Sequence, residues 1–377
     1  MDISEATQRA TLTALGFKMV GDMAHVPTWR PDVQGEADLV EEVARIASLT
    51  KLQGTPLPRL HAGVPKPILT PGQSRQQAAR RTAAALGYNE CVTYSFVDAQ
   101  AAALFGGGDD ATMLENPISS EMSHMRPNLL GGLLRAVARK QARGFMDMAL
   151  FEVGAGFHGG EPGEQHTLVS GVLIGKTGPK DVHGTSRPVD LYDAKADAEA
   201  VLAAIGAPAK VQILRGAADW WHPGRHGKIC LGPKKVLAVF GELHPKVLRE
   251  MDIKGPAVAF TIWPDEVPLP KKKTATRAAL AATDLQAVER DFAFVVDAEV
   301  EALALVNAAS GADKALITDV RVFDEFIGGS LGEGKKSLAV TVRLQPTAAT
   351  LKDADIEAVS AKIVEKVAKA TGGVLRG

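Results

Sequence analysis

Cysteine is almost absent from this 377-residue chain, which contains only Cys91 and Cys230. So few thiols exclude a disulfide framework and a zinc site built from cysteines. We expect both to be buried, reduced thiols of a protein from a reducing compartment. The chemistry of the chain must therefore be sought in other side chains.

Long hydrophobic runs and an excess of either charge are also missing. No stretch reaches the roughly 18 apolar residues of a membrane span, and the polar, acidic residues 1–6 are unlike a signal peptide. We therefore expect a cytoplasmic protein with no membrane contact. The 43 basic and 44 acidic residues leave a net charge of -1, so RNA binding would need a local basic face or a partner that supplies most of the contact.

Proline divides the chain into three predicted domains, within the range expected at about 100–200 residues per domain. Prolines concentrate at residues 54–72 and 264–270, which we interpret as linkers, and the basic run Lys271–Lys273 follows the second. The predicted domains are residues 1–58, 73–268 and 280–377. Their patterns indicate a multidomain α+β protein.

The first domain is predicted to be small and rich in helix. Apolar spacing from Ile3 to Leu15 indicates a helix that Gly16 ends. Residues 25–29 should be extended, and residues 38–49 should form a second helix. The apolar stripe of that helix consists of Leu39, Val40, Val43 and Ile46.

The second domain has many strand patterns and few helices, which indicates an antiparallel sheet with helices on one side. Helices are predicted at residues 74–86, 129–143 and 191–205, with Asn128 as a cap of the second and Gly206 ending the third. Strands are predicted at residues 90–97, 148–153, 168–174, 211–214, 228–231 and 236–243.

The third domain follows the order β-α-β-β-α-β. Residues 292–296 and 338–344 alternate like strands, and residues 320–326 should be extended. Helices are predicted at residues 300–309 and 354–370, and residues 373–376 add a short last strand. This order predicts a ferredoxin-like sandwich of a four-stranded sheet and two helices.

Four carboxylates gather near the start of the second predicted helix: Asp32, Asp38, Glu41 and Glu42. Spacings of three and four residues place both glutamates on the helical face of Asp38, and Asp32 precedes the helix on a loop that can fold back. A divalent cation with oxygen ligands, Mg²⁺ first, would relieve their repulsion. The alternative is that acidic residues in a first helical turn favour the helix dipole and face water.

A zinc site is suggested by the spacing of His222 and His226, with His244 downstream. Pro223 and Gly224 stand between the first two, however, and they break the helix that would place both imidazoles on one face. We instead predict a turn in this stretch.

The stretch Gly329–Lys335 imitates a phosphate-binding loop. Lys336 occupies the place of the Ser or Thr that binds Mg²⁺, and a strand pattern follows where the mechanism needs a helix. We interpret the stretch as a glycine-rich hairpin loop. Since no nucleophile elbow or serine triad is visible either, no catalytic residues are predicted.

Several blocks together resemble the β subunit of bacterial phenylalanyl-tRNA synthetases. The blocks are Val26–Asp32, Asp38–Arg45, Leu86–Phe96, Glu115–Ser119, Met125–Arg126, Leu150–Gly154, Leu191–Lys195, Trp221–Arg225, Gly241–Pro245, Arg290–Val296, Phe323–Asp324, Lys335–Ala339 and Leu375–Arg376. The middle blocks resemble that family's catalytic-like domain, which has a class II synthetase fold without its chemistry. The last blocks resemble its ferredoxin-fold anticodon-binding domain.

The resemblance implies partners and a cofactor. It implies an α2β2 heterotetramer whose α subunit binds ATP and joins phenylalanine to tRNA(Phe), while β scaffolds α and positions the tRNA. The family's Mg²⁺ ligands, at a site shared with α, correspond to Asp32, Asp38, Glu41 and Glu42. The family's N-terminal RNA-binding and editing domains have no counterpart in this sequence, so no editing is expected of this chain.

The C-terminal sheet offers RNA a flat surface on which splayed bases can be stacked and read. We predict stacking by Phe323 and Phe326 and phosphate contacts from Arg321, Lys335, Lys336 and Arg343. Each of these residues also has a plainer interpretation, as a core aromatic or a solvated charge. The alternative function is a free-standing RNA-binding module without a synthetase partner.

Overall fold

The computed structural model describes residues 1–58, 63, 68–178, 182, 184, 186–270, 279–280 and 282–376. Contacts between residues divide the chain into two compact units, Met1–Ile68 and Leu69–Gly377. The basic run Lys271–Lys273 and the linker residues Pro65 and Pro67 lie outside the described residues. The predicted domain limits stay predictions, although each predicted domain contains a hydrophobic cluster of its own.

The first unit contains α1 (Glu5–Ala14), β1 (Lys18–Val20), β2 (Met23–His25) and α2 (Glu36–Ala47). α1 ends before Gly16, as predicted. The φ of Gly16 is 93°, and a Cβ atom there would lie 2.9 Å from the ring of Trp29, so glycine is required both by the backbone and by the packing. The second strand ends at His25, so the prediction of extended residues 25–29 is correct only at its start.

The apolar stripe predicted for α2 is only partly buried. Val43 packs in the small core with Phe17, whereas Val40 and Ile46 are 67% and 52% exposed. Glu42, beside Val43, is buried in their place. A carboxylate is tolerated there only because it has ionic partners, which are described below.

The second unit opens with a large mixed domain. Its elements are α3 (Pro71–Ala85), β3 (Asn89–Glu90), β4 (Phe96–Val97), α4 (Ala99–Leu104), β5 (His124–Met125), α5 (Leu130–Gln141), β6 (Met148–Phe157), β7 (Gln165–Ile174), α6 (Leu191–Ala204), β8 (Gln212–Leu214), β9 (Trp221–Leu231), β10 (Lys235–Leu243), α7 (Pro245–Glu250) and β11 (Ala257–Ile262). Seven strands form one sheet in the order β3-β6-β7-β11-β10-β9-β8. Neighbours are antiparallel except for the parallel pair β3–β6.

The sequence patterns miss β11, which lies in the middle of this sheet. All six of its residues are buried. A strand covered on both faces has a continuous apolar sequence rather than an alternating one. α3 and α6 cover one face and α5 and α7 the other, so the expectation of helices on one side is wrong.

The structure differs from two other predicted elements, in each case for an identifiable reason. Residues 90–97 form no continuous strand, because the N–H and hydroxyl of Thr93 bind the carboxylate of Glu152 instead of a neighbouring strand. β9 begins at Trp221 and continues through Pro223, where we predicted a turn. The register of β9 with β10 shifts at this point, which leaves Pro223 outside the regular ladder.

The C-terminal part contains β12 (Val288–Asp297), α8 (Ala302–Ser310), β13 (Ile317–Phe326), β14 (Lys335–Leu344), α9 (Asp353–Thr371) and β15 (Val374–Leu375). The strands form an antiparallel sheet in the order β13-β14-β12-β15. This confirms the predicted β-α-β-β-α-β order. α8 and α9 cover one face of the sheet, with Phe294, Leu305, Val340 and Ile363 in the core. Residues 327–334 join β13 to β14, in agreement with the predicted hairpin loop.

Two expectations from composition concern thiols and hydropathy. Both cysteines are free thiols; Cys230 is buried and Cys91 is half-buried. Burial raises the pKa of both thiols, so they stay protonated at neutral pH. Among the helices that the structure describes, none combines the length and hydropathy needed to cross a membrane.

Candidate metal cluster and nucleic-acid interface

The turn before α2 brings Arg30 between two of the predicted metal ligands. Arg30 donates from Nε and Nη2 to the carboxylate of Asp32 at 2.7 to 3.1 Å, and from Nη1 to Oε2 of Glu42 at 2.9 Å. Arg45 donates from Nη2 to the same oxygen of Glu42 at 2.8 Å. The loop therefore folds back onto α2, as expected, but an arginine makes the connection.

The two arginines keep the acidic pair ionised. Hydrogen bonds from Arg30, and then from Arg45, lower the pKa of Glu42 to about 2. A hydrogen bond from Arg30 likewise lowers the pKa of Asp32. The side chain of Glu42 is only 8% exposed. The result is an ion-pair network that fastens the loop to the helix.

The other two predicted ligands have separate surroundings. Oδ2 of Asp38 accepts the N–H groups of Gln34 and Gly35 at 2.8 and 2.9 Å, which fixes the start of α2. Glu41 is exposed and forms no hydrogen bond or ion pair with the described residues. No three His, Cys, Asp or Glu side chains in the described ranges are placed to hold a metal ion. The four carboxylates do not fit one ion in this arrangement, and the Mg²⁺ assignment stays a prediction.

The three histidines of the rejected zinc pattern are each used locally. Nδ1 of His222 accepts the N–H of Gly224 at 3.1 Å, and Nδ1 of His226 lies 2.5 Å from the carbonyl oxygen of His222. Nδ1 of His244 accepts the N–H of Lys246 at 3.0 Å and caps α7. The zinc interpretation gains no support from this geometry.

The C-terminal sheet exposes two arginines on the face opposite its helices. Val340 and Val342 on β14 are buried beneath the helices. Because side chains alternate along a strand, Thr341 and Arg343 point to the other face, and Arg321 on β13 stands opposite Thr341. Both arginines are exposed, and neither guanidinium forms a hydrogen bond or ion pair with the residues that the structure describes.

Phe326 and Arg376 extend the same surface. Phe326 pairs with Ser337, which shares the outward alternation of Arg343. The ring of Phe326 is 42% exposed, and the guanidinium of Arg376 lies 5.8 Å from its centre. Sequence reasoning missed Arg376, although the short strand pattern at residues 373–376 was the signal that brings it to the sheet. We call Arg321, Phe326, Arg343 and Arg376 the open face.

The other three predicted RNA contacts either point away from the open face or are already ion-paired. A bulge in β13 takes Phe323 out of the strand alternation, and Phe323 and Lys336 line a cleft instead. Lys336 pairs with Glu325 at 3.2 Å, and Lys335 pairs with Asp297 at 2.6 Å. The structure thus places Arg321, Phe326, Lys335 and Arg343 on one side of the sheet, with Lys335 already ion-paired, and turns Phe323 and Lys336 away from it. The RNA assignment itself stays a prediction.

The large domain contains a buried ion pair that the sequence did not single out as a site. Nη1 of Arg126 and Oε1 of Glu152 lie 2.8 Å apart, and their side chains are 5% and 4% exposed. The hydroxyl of Thr93 donates to Oε2 of Glu152 at 2.7 Å, and Nε of Arg126 donates to the carbonyl of Ala155 at 2.9 Å. Both charges are hydrogen-bonded several times, as a buried pair requires.

The edge of the seven-stranded sheet exposes apolar side chains. β3 is its outermost strand, and Val92 and Tyr94 just beyond it are 93% and 74% exposed. Thr93 between them binds the buried Glu152, so its two neighbours are directed outward. Exposed apolar side chains at a sheet edge are typical of an interface with another protein. We call Val92 and Tyr94 the apolar edge.

Comparison with known families assigns the three parts of the chain to one class. Residues 1–48 match the tRNA synthetase B5 domain, residues 57–263 match the phenylalanyl tRNA synthetase beta chain CLM domain, and residues 283–376 match the ferredoxin-fold anticodon-binding domain. Two of these descriptions name tRNA synthetases and the third names an anticodon-binding fold. The class is therefore that of aminoacyl-tRNA synthetase components.

The match to residues 57–263 extends over more than half of the chain, which therefore belongs to the phenylalanyl-tRNA synthetase β-chain family. The resemblance drawn from sequence blocks is confirmed. The phenylalanine–tRNA ligase β subunit of Ruegeria pomeroyi is 79% identical over 377 residues, and that of Cereibacter sphaeroides is 71% identical over 381 residues. Each alignment covers 100% of this chain and 47% of the relative, so the chain spans about half the length of the curated relatives it matches.

One solved structure, a pyrrolysyl-tRNA synthetase of Desulfitobacterium hafniense, aligns with a TM-score of 0.39 at 14% identity. The alignment covers 69% of this chain and 87% of that structure. A likeness of this size carries no argument about the arrangement of the domains.

Proposed function

We propose that this chain is a non-catalytic part of a phenylalanine–tRNA ligase β subunit, which scaffolds the catalytic α subunit and positions tRNA(Phe). The observation that carries the proposal is the ordered match to three family domains. In this role ATP and phenylalanine bind to α, within a cytoplasmic α2β2 assembly. No reaction step falls to a residue of this chain.

The open face supplies the chemistry for RNA contact. Among the described residues, none accepts a hydrogen bond from the guanidinium groups of Arg321 and Arg343, and such donors suit phosphate oxygens. The exposed ring of Phe326 can stack on a base splayed from a loop, and Arg376 beside it adds a positive charge. These groups suit contacts with a tRNA stem-loop, and they stand on a fold matched to anticodon-binding domains.

Acidic neighbours limit how strongly the open face can bind RNA. Glu289 lies directly opposite Arg343 on the neighbouring strand. Asp291 lies opposite Thr341, whose hydroxyl donates to it at 2.7 Å. The positive potential is therefore local rather than extended. We expect binding by the isolated chain to be weak and strongly dependent on salt, and tRNA to be held firmly only when α contributes contacts of its own.

The apolar edge is the surface that we assign to the α subunit. Val92 and Tyr94 lie at the free edge of the large sheet, where a second protein can cover them without disturbing the core. The relatives are named as β subunits, which implies an α partner, and an exposed apolar pair is more readily explained by a partner than by water.

Co-expression with a cognate α subunit tests this proposal. We expect the two chains to elute from size exclusion as one complex, and V92D/Y94D to abolish that complex without changing the unfolding midpoint. The control V182D introduces one negative charge, half of that in V92D/Y94D, at a side chain that is 90% exposed. Loss of the complex in V182D as well, or its survival in V92D/Y94D, would contradict the assignment of the apolar edge.

Deleting residues 280–377 separates scaffolding from tRNA positioning. The complex with α should then retain phenylalanine-dependent pyrophosphate exchange and lose most tRNA charging. A free-standing RNA-binding module, the alternative, would form no complex with α and would bind RNA equally well in its absence. No comparison supports that alternative.

A further inference from the structure

In the first unit, the carboxylates of Asp32 and Glu42 share one arginine, Arg30, as their counterion. Asp32 and Glu42 are held together by one guanidinium, which donates to Asp32 at 2.7 Å and to Glu42 at 2.9 Å. Without Arg30, the carboxylates would have to be separated by water or joined by a different cation.

The charges in this network are already balanced. Arg30 and Arg45 supply two positive charges, and Asp32 and Glu42 supply two negative ones, with Oε2 of Glu42 shared by both arginines. The guanidinium is charged at every pH at which the protein is folded. A second cation at Asp32 and Glu42 would therefore meet two fixed positive charges that already balance these two carboxylates.

The oxygen atoms themselves are also engaged. Mg²⁺ needs carboxylate oxygens at roughly 2.0–2.1 Å, and the Arg30 donors use the carboxylates of both Asp32 and Glu42. Asp38 binds backbone N–H groups, which leaves only the exposed Glu41 without a partner among the described residues. One free carboxylate does not make a metal site.

We propose that Arg30 is a built-in counterion that takes the place of a divalent cation between Asp32 and Glu42, so that arginine and metal compete for the same carboxylates. The first unit then folds without a metal. A divalent ion binds these residues only when Arg30 is withdrawn. This inference goes beyond the proposed function and does not depend on it.

The competition is tested by Mn²⁺ titration of the whole 377-residue chain, followed by electron paramagnetic resonance of the free ion. Wild-type chain should bind Mn²⁺ only weakly, and R30M should bind it at least tenfold more tightly. The triple variant R30M/D32N/E42Q should lose that gain. Mg²⁺ should displace the bound Mn²⁺ from R30M.

Arg9 provides a matched control. It also bridges two acids, donating to Glu5 at 2.8 Å and to Asp22 at 2.6 Å, but both acids are exposed. R9M should gain no Mn²⁺ affinity. An equal gain of Mn²⁺ affinity in R9M would mean that the gain in R30M comes only from the general change of charge. Wild-type binding as tight as that of R30M would show that Arg30 does not compete with the metal.

A second measurement covers the case in which R30M loses its fold. Removal of Arg30 leaves the buried Glu42 with Arg45 alone, so the first unit can loosen. Hydrogen exchange of peptides from residues 1–48 should then show protection restored in R30M by Mn²⁺ and unaltered in wild type. Absence of that recovery in a loosened R30M would contradict the proposal.

Discussion

The arginines of the first unit and those of the C-terminal sheet are put to opposite uses. Arg30 and Arg45 direct their donors at acids of the same fold, whereas Arg321 and Arg343 have no partner among the described residues. The first pair stabilises a loop, and the second pair is available to a ligand. The net charge of -1 hides this difference, because what matters is where each arginine finds its counterion.

Among the paired arginines, Arg126 of the large domain should have the largest effect on stability, because its partner Glu152 is buried. We expect E152Q to destabilise the large domain by about 3–5 kcal/mol, because the guanidinium would be left without its counterion in the core. Urea unfolding measures this change. In the control E199Q, which removes an acid paired with Lys195 on the exposed side of α6, the loss should stay below about 0.5 kcal/mol. Equal losses of stability in E152Q and E199Q would mean that burial does not determine how much an ion pair matters to the fold.

A smaller effect should appear in acid, and it belongs to Glu42. The pKa of this group is depressed to about 2 in the fold from an ordinary value of 4.5. Its stabilising contribution is therefore complete above pH 4.5 and is lost as the pH falls toward 2. Hydrogen exchange of residues 1–48 between pH 5 and 2.5 should show protection falling in wild type. In E42Q the protection should be lower already at pH 5 and should fall less steeply; identical profiles would contradict the ion-pair account.

The smallest predicted effect concerns Asp38. Its carboxylate accepts two backbone N–H groups at the start of α2, so D38A should cost about 0.5–1 kcal/mol, as the loss of a helix cap does. D38N keeps an acceptor and should recover most of that loss. The local stability of α2, followed by hydrogen exchange, provides the measurement. If D38A has no effect, the N-terminal capping role is wrong.

Much of the fold could be predicted because its elements have amphipathic or alternating sequences. The two inner strands of the C-terminal sheet, β12 and β14, could be predicted because each buries one face and exposes the other. β11 could not be predicted in this way, because burial of both faces removes the alternation. The broken strand at residues 90–97 depends on Glu152, far along the chain, which no local pattern reports.

The candidate sites were harder to predict than the fold, for a physical reason. The sequence identified Asp32 and Glu42 as neighbours across a loop, but it gave no sign that Arg30 would lie between them. It likewise placed Lys335 and Lys336 beside a glycine-rich hairpin loop without indicating their partners Asp297 and Glu325. Spacing tells which charges share an element, whereas ion pairing depends on elements that meet only in the fold.

The central claim, that the exposed Arg321 and Arg343 of the C-terminal sheet contact tRNA, is tested by measuring tRNA(Phe) affinity against salt in the complex with α. R321A/R343A should weaken binding and lower the slope of log affinity against log salt by about 1.4, at roughly 0.7 for each contact with single-stranded phosphate. K335A/K336A removes the same charge from paired positions and should leave the slope nearly unchanged. Loss of slope in the lysine variant, or its retention in the arginine variant, would contradict the account.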